Sequence, residues 1–385
     1  MRIVHIAPNA PYNDYWGYQE NLLPKYHRQL GHEVMVITTN TKHENGNIVE
    51  IEEADYKLKD GVRVVRLKRK KYISRILTGL RSYIPVYDIL SEYRPDFIFF
   101  HGLSSNTIFD AIRYKKKLNM DCVIVQDNHM DPYNNNYKTG IKARIIRWYY
   151  HCINTLSQRS VDRVFGVTPW RVQYARRYFG IETDKLDLLI MGADDSMLNF
   201  DDKSNIRTRI RNRYNLSEDD FLVVTGGKID GSKNIDVLIN VCARIDNIKL
   251  LIFGTITTEL KESLETLIND SSNIIHIGWI DSSEVYDYFM SADLVCFPGT
   301  HSVMWEQACA CKVPCLFKRW EGMEHVNNGG NSTFISEVTE ANLYSELKNL
   351  IRTEKYFEMK KVAESENTSI YLYSKIAEKS LEVFR

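Results

Sequence analysis

The chain reads as an α/β protein made of two successive doubly wound domains facing each other across a cleft. Three observations predict this. Its 385 residues exceed the ~100–200 usual for one domain. Short apolar runs rich in Val, Ile and Phe alternate with longer amphipathic segments along the whole length. The pattern stops at a polar stretch, 199–205, and then restarts.

In the first half, residues 3–7, 34–38, 62–67, 97–100, 123–126, 163–167 and 188–191 are expected strands. In the second half they are 221–226, 249–253, 274–279, 294–298 and 314–317. Continuous apolar runs of this length suit strands buried in a parallel sheet with helices on both faces. A single eight-fold barrel is the competing architecture, but the break near 200 and the helical closing stretch from about 340 weigh against it. The expected boundaries are 1–195 for the first domain and 196–368 for the second, with a helix over 369–385 returning to the first.

A composition of 44% hydrophobic and 26% charged residues with 19 Gly and 9 Pro excludes collagen-like, low-complexity and disordered chains. No run approaches the ~18–20 apolar residues of a membrane span. The opening Met1-Arg-Ile-Val-His lacks signal-peptide architecture, so a cytoplasmic protein is expected, with any membrane contact peripheral. Seven cysteines read as reduced thiols. Cys309, Cys311 and Cys315 lack C-x2-C spacing and stand among Ala308, Val313 and Leu316, so they read as buried small hydrophobes. The formal net charge is zero, yet residues 1–200 carry 29 Lys+Arg against 22 Asp+Glu, and residues 201–385 carry 21 against 28. A basic half and an acidic half bear on partners more than on fold.

In doubly wound sheets ligands sit beyond the carboxyl ends of the strands. After the strand at 221–224 comes Thr225-Gly-Gly-Lys-Ile-Asp-Gly-Ser-Lys233, just ahead of a helix start. Small residues admit a ligand to the backbone, and Lys228 and Lys233 beside a helix start suit a diphosphate. Two solvated surface lysines are the plain alternative. The first strand runs into Pro8-Asn-Ala-Pro-Tyr-Asn-Asp-Tyr-Trp-Gly17, a loop long enough to close over a ligand.

These segments also carry a resemblance. Gly17-Tyr-Gln-Glu20 leading into Leu30-Gly-His-Glu-Val34, Gly192-Ala-Asp194 with Phe200, Gly227-Lys228 with Lys233, and Glu306-Gln-Ala-Cys-Ala310-Cys-Lys-Val-Pro314 stand in order. Together they resemble the retaining glycosyltransferases of the family-4 type, which have the GT-B fold of two Rossmann-like domains. The resemblance implies that Gly17 lies near the donor diphosphate and that Gly227, Lys228 and Lys233 bind it. It also implies that Glu306 bonds the donor ribose. A histidine near the reacting sugar corresponds to His129 in Gln126-Asp-Asn-His129, with Asp127 and His101 as rivals on the acceptor side.

One departure stands out. The family often carries two glutamates separated by seven residues, whereas Pro298 stands eight positions before Glu306. His301 and Ser302 occupy the loop expected to meet the donor sugar, with contacts expected from Thr300–Val303 backbone N–H groups. No D-x-D stands at a convincing strand end, and two lysines on the departing phosphate would make Mg²⁺ unnecessary, so no metal or other cofactor is expected.

In the basic half, Lys68, Arg69, Lys70 and Lys71, then Arg75 and Arg81, run into an apolar stretch expected to be helical over 73–90. Lys142, Arg144 and Arg147 precede Trp148. Cations beside aromatics suit an anionic membrane surface. No nucleic-acid module is recognisable. The expected function is transfer of a sugar from a nucleotide-diphosphate sugar to a saccharide or lipid-linked saccharide, with retention, in polysaccharide, capsule, O-antigen or glycolipid assembly. A sugar-nucleotide 2-epimerase and a non-catalytic nucleotide-sugar-binding protein are the alternatives.

Overall fold

The computed structural model describes residues 1–70, 83–131 and 140–384, and of Lys142 only the backbone. Lys71, Arg75, Arg81 and most of the stretch expected to be helical at 73–90 therefore lie outside the described residues; a helix does run from Tyr87 to Tyr93. The chain forms two compact units, 1–190 with 376–385, and 191–375.

The first unit is built on β1 (Arg2–Ala7), β2 (Glu33–Thr39), the hairpin β3 (Thr41–Glu44) and β4 (Asn47–Glu50), β5 (Ala54–Lys57), β6 (Arg63–Leu67), β7 (Phe97–Phe100), β8 (Val123–Asn128), β9 (Arg163–Gly166) and β10 (Leu186–Leu188). Eight of these form one sheet in the order β10-β9-β8-β7-β1-β2-β6-β5. All neighbours are parallel except β5, which runs antiparallel to β6. The strand order reverses direction between β1 and β7, which makes the carboxyl ends of those strands the switch point of the sheet.

Alternation of side chains assigns the two faces. Val4 and Ile6 of β1, with Ile98 and Phe100 of β7, enter one core together with Met35, Ile37, Ile124 and Val164. His5, Phe97 and Phe99 are left for the opposite face, and all three are buried.

The second unit holds β11 (Phe221–Gly226), β12 (Ile248–Phe253), β13 (Ile274–Gly278), β14 (Leu294–Phe297), β15 (Cys315–Lys318) and β16 (Ser332–Ile335), ordered β13-β12-β11-β14-β15-β16 and parallel throughout. Two open sheets exclude the single barrel. Six of the seven cysteines are buried and all are free thiols.

Several elements differ from expectation. The strand expected at 188–191 lies at 186–188, because Leu186 to Leu188 pair with Val164 to Gly166 while Leu189 turns into the core. The hairpin β3–β4, β5 and β16 are not expected from sequence. Their segments are short, polar or mixed polar and apolar, and none of them is buried throughout, so they lack the apolar run that marks an interior strand.

Candidate active site

In the second unit, β11 delivers the glycine- and lysine-rich turn. Gly227 takes φ +104°, a conformation open to glycine, and its N–H bonds Phe253 O at 3.0 Å. Lys228 follows it with an exposed side chain. Asp230 then caps a single 3₁₀ turn, Gly231–Lys233, accepting from Ser232 N at 3.0 Å and Ser232 Oγ at 2.6 Å.

That turn packs on the loop after β14. A Cβ on Gly299 would stand 2.3 Å from Lys233 Cα, so only glycine permits the approach. Lys233 Nζ donates to Thr300 O at 2.8 Å and Thr300 Oγ1 at 2.7 Å. Burial lowers the Lys233 ammonium from its ordinary value, with Asp230 opposing. Thr300 N–H donates to Ser232 O at 3.1 Å. The expected set of free backbone donors over Thr300–Val303 is thus corrected at its first member: the close approach at Gly299 commits that N–H to the neighbouring turn. Ser302 and Val303 are half-buried and precede the helix Met304–Ala310.

Glu306, on that helix, is fully buried. Its Oε1 accepts from His301 Nε2 at 2.9 Å and from His325 Nε2 at 2.7 Å. Its Oε2 and His325 Nδ1 are buried without a hydrogen-bond partner. Burial alone would raise this carboxyl; the imidazoles of His301 and His325 outweigh it and hold it at about 2. No sequence motif marks His325, which sits on a 3₁₀ turn, Glu324–Val326, beyond the Glu306 segment. Its backbone carbonyl accepts from Tyr371 Oη at 2.7 Å. His301, Glu306 and His325 are the group among the described residues whose ligand atoms, within 4.8 Å of one another, could hold a metal ion. Their separations are those of N–H···O hydrogen bonds. A cation ~2.0–2.2 Å from each atom would need both Nε2 atoms deprotonated and spread apart.

In the first unit, Asp127 is the hub. It stands one residue before the carboxyl end of β8; its Oδ1 accepts from Gly102 N at 2.7 Å, while Oδ2 meets His101 Nδ1 at 2.9 Å, His129 Nε2 at 3.2 Å and Gln19 Nε2 at 3.3 Å. Burial would raise the Asp127 carboxyl, but His129 and His101 hold it well below the usual carboxylate range. His129 moves the other way: burial opposes its charge, but Asp127 raises it above the ordinary histidine value. The His129 side chain is 33% exposed against 0% for Asp127, so it is the member of the pair open to solvent. The structure therefore brings His101, Asp127 and His129 together, which sequence had treated as rivals.

Gly17 is exposed and precedes the helix Gln19–Gln29; a Cβ there would meet nothing within 4 Å. The loop leading to it is pinned: Arg66 Nη2 bonds Asp14 Oδ1 at 3.0 Å, Arg66 Nη1 bonds Tyr12 O at 2.9 Å, and Asn13 Nδ2 bonds His43 O at 2.8 Å. Of the basic run, Lys68 and Lys70 are exposed, with Lys68 Nζ 3.7 Å from Glu50 Oε1. Arg69 is corrected from a surface residue to an inward one: Nη2 donates to Asn9 O at 3.0 Å.

With this geometry in hand, comparisons give the same family for both units. Residues 22–196 match the model of Glycosyltransferase Family 4, and residues 206–365 match Glycosyl transferases group 1. No curated protein matches the sequence. Among solved structures, a glycosyltransferase from Rickettsia africae is similar over 100% of this chain and 97% of its own (TM-score 0.70, 14% identity). Anabaena HepE in complex with UDP is similar over 100% and 99% (0.67, 14%). A putative UDP-N-acetylglucosamine 2-epimerase from Listeria monocytogenes is similar over 99% and 94% (0.58, 12%). At these identities the likeness concerns the fold. The two parallel sheets, their order and both family matches agree: the chain is a GT-B protein and belongs to the group 1, family-4 type of glycosyltransferases.

Proposed function

We propose that the protein transfers a sugar from a nucleotide-diphosphate sugar to a saccharide acceptor, with retention of anomeric configuration and without a metal ion. The observation that carries the donor assignment is the exposed Lys228 beside Gly227 at the carboxyl end of β11, in the unit matching the group 1 model. An exposed ammonium next to an open backbone turn suits a diphosphate. Lys233, now held by Thr300, adds a second cation once a phosphate oxygen, the stronger acceptor, replaces the threonine oxygens. Glu306 Oε2, buried without a partner, is the acceptor offered to a ribose hydroxyl, and reaching it requires side-chain movement in the His301 loop. His129, whose protonated form Asp127 favours, orients the reacting sugar and stabilises its developing charge.

HepE was solved with UDP and with UDP-glucose, which makes UDP the first probe for this chain. Calorimetry with UDP should give binding that falls at least tenfold in Lys228→Ala. Unchanged binding in that variant would remove the assignment. Incubating a UDP-sugar without acceptor separates the alternatives: conversion of the sugar nucleotide alone marks an epimerase, and binding with neither conversion nor transfer marks a non-catalytic protein.

The acceptor reading extends to a lipid-linked saccharide at an anionic membrane, in cell-surface polysaccharide or glycolipid assembly, by a cytoplasmic protein bound peripherally. No helix among the described residues is long and apolar enough to cross a membrane. The helix Ile141–Ser157 supports the surface reading: Ile141, Ile145 and Trp148 are 78%, 56% and 67% exposed at one helical spacing, beside exposed Arg144. Co-sedimentation with phosphatidylglycerol vesicles should drop in Ile145→Ser/Trp148→Ser; undiminished binding overturns this surface.

A further inference from the structure

A hydrogen-bonded file of imidazoles runs behind the Asp127 carboxylate. Ser380 Oγ lies 2.8 Å from His27 Nε2, His27 Nδ1 lies 3.0 Å from His5 Nε2, and His5 Nδ1 lies 3.1 Å from His101 Nε2. His101 Nδ1 then reaches Asp127 Oδ2 at 2.9 Å. Ser380, His27, His5 and Asp127 are fully buried, and His101 is 4% exposed. Strand alternation explains the placement: His5 shares its sheet face with Phe97 and Phe99. Phe99 stacks against His5 with ring centroids 5.4 Å apart and lies tilted against His101 at 4.7 Å, while Phe97 meets His27 edge-on.

We infer that His5, His27 and His101 form a proton relay joining Ser380 of the C-terminal segment to the Asp127–His129 pair, and that one added proton reverses every hydrogen bond of the file between Ser380 and His101.

The tautomers follow from one end. Asp127 is ionised and can only accept, so His101 donates from Nδ1. A neutral His101 then accepts at Nε2, which requires His5 to donate from Nδ1. Burial keeps His5 well below the ordinary histidine value, with His27 and His101 adding to the effect; neutral His5 therefore accepts at Nε2 from His27 Nδ1–H. Burial likewise holds His27 down to about 3, against the opposing bond to Ala377, so neutral His27 accepts at Nε2 from the Ser380 hydroxyl. All three imidazoles are Nδ1–H tautomers.

A second arrangement fits the same heavy atoms. A proton from solvent bound at His27 Nε2 sends the His27 Nδ1 proton to His5 Nε2, and the His5 Nδ1 proton to His101 Nε2. Three N–H bonds form, two break, and the added charge rests on His101. His27 Nε2–H then faces Ala377 O at 3.3 Å, and the Ser380 hydroxyl turns to the same carbonyl at 2.8 Å. In this state His101 is a cation on the oxygen that also holds His129, so the two imidazoles share the Asp127 charge. The other groups acting on the file are Gln19 on Asp127, Glu20 and Arg171 on His129, and His32 on His27. Ser380, His27, His5 and His101 are thus positioning residues for His129. That last step rests on the reading of His129 at the reacting sugar; the relay itself does not.

The test is long-range ¹H–¹⁵N correlation on the full chain labelled with ¹⁵N-histidine. At pH 7.5 His5 and His27 should both show the Nδ1–H pattern, and Nε2–H at either would overturn the relay. In Ser380→Ala the neutral arrangement loses the hydroxyl donor while the reversed one keeps Ala377 O. The His129 titration midpoint, a group five hydrogen bonds away, should therefore shift, with circular dichroism confirming the fold. A midpoint equal to wild type would overturn the coupling. Loss of transfer in His129→Ala tests the site reading separately, since the tautomers of His5 and His27 do not depend on it.

Discussion

Glu306 and His325 meet at 2.7 Å in the interior of the second unit, and each leaves one buried polar atom, Oε2 and Nδ1, without a hydrogen-bond partner. The carboxylate is kept ionised by the two imidazoles on its Oε1, so it is both a stability element and an unfilled acceptor.

The acid side of the stability curve should report this carboxylate. Its folded value, about 2, lies below the ~4.3 of an unfolded glutamate, so its contribution is complete above ~4.3 and lost as pH falls toward 2. Glu306→Gln should lose ~1–3 kcal/mol at pH 7 by weakening bonds to two buried donors. Urea midpoints from pH 7 to 3 should fall less steeply in the variant; parallel curves would refute the linkage.

The buried histidines of the first unit act over a higher window. His27 titrates near 3 when folded and near 6.5 when unfolded, so the unfolded chain binds the extra proton between those values. Stability is complete above ~6.5 and lost as pH falls toward 3. His27→Phe should flatten the slope between pH 6.5 and 4.5, measured by the same denaturation, while an unchanged slope would assign the acid sensitivity elsewhere.

Lys233 and Thr300 should be coupled in nucleotide binding. Lys233→Ala removes a cation and a loop anchor, and UDP affinity should fall ~10–100-fold, the cost of a charged hydrogen bond. Thr300→Val should cost less, and the double variant should depart from additivity by ~0.5–3 kcal/mol. Additive losses in calorimetry would mean that the lysine acts independently of this contact.

Two glycines separate packing from binding. A Cβ on Gly254, at φ +110°, would lie 1.9 Å from Gly227 O, so Gly254→Ala should destabilise the protein by several kcal/mol or prevent folding. Gly17→Ala should keep the wild-type melting temperature, because nothing stands within 4 Å. If Gly17 borders the donor, the alanine variant weakens binding without loss of stability; equal affinity would remove Gly17 from the site.

Under the proposed mechanism transfer activity should persist in excess EDTA, Lys228 and Lys233 taking the place of a metal in neutralising the departing diphosphate. Complete loss restored by Mg²⁺ or Zn²⁺ would overturn this, and in the Zn²⁺ case would direct attention to His301, Glu306 and His325.

Much of the architecture was legible because interior parallel strands are continuous apolar runs. The segments Phe97–Phe100 and Leu294–Phe297 are buried at every position. The separate β3–β4 hairpin and the edge strand β16 were not, since strands of four residues that are polar or mix polar with apolar side chains carry no such run. In the site, Lys233 and Glu306 could be named from their motifs, but their partners could not. Thr300 is 67 positions from Lys233, and His325 is 19 from Glu306; loop approach and side-chain direction selected them. Arg69 shows the same limit, as a basic run does not say which member turns inward.

By itself the sequence determined two doubly wound sheets and the glycosyltransferase family, because hydrophobic periodicity and ordered motifs are properties of the chain read in order. Tertiary structure alone decided that His101, Asp127 and His129 are one assembly and that His5, His27 and Ser380 stand behind it. Strand β1, the ends of β7 and β8, and two helices must converge before those side chains come within hydrogen-bonding distance. The physical reason is range: a hydrogen bond acts over about 3 Å, while the residues it joins here are up to 353 positions apart in the chain.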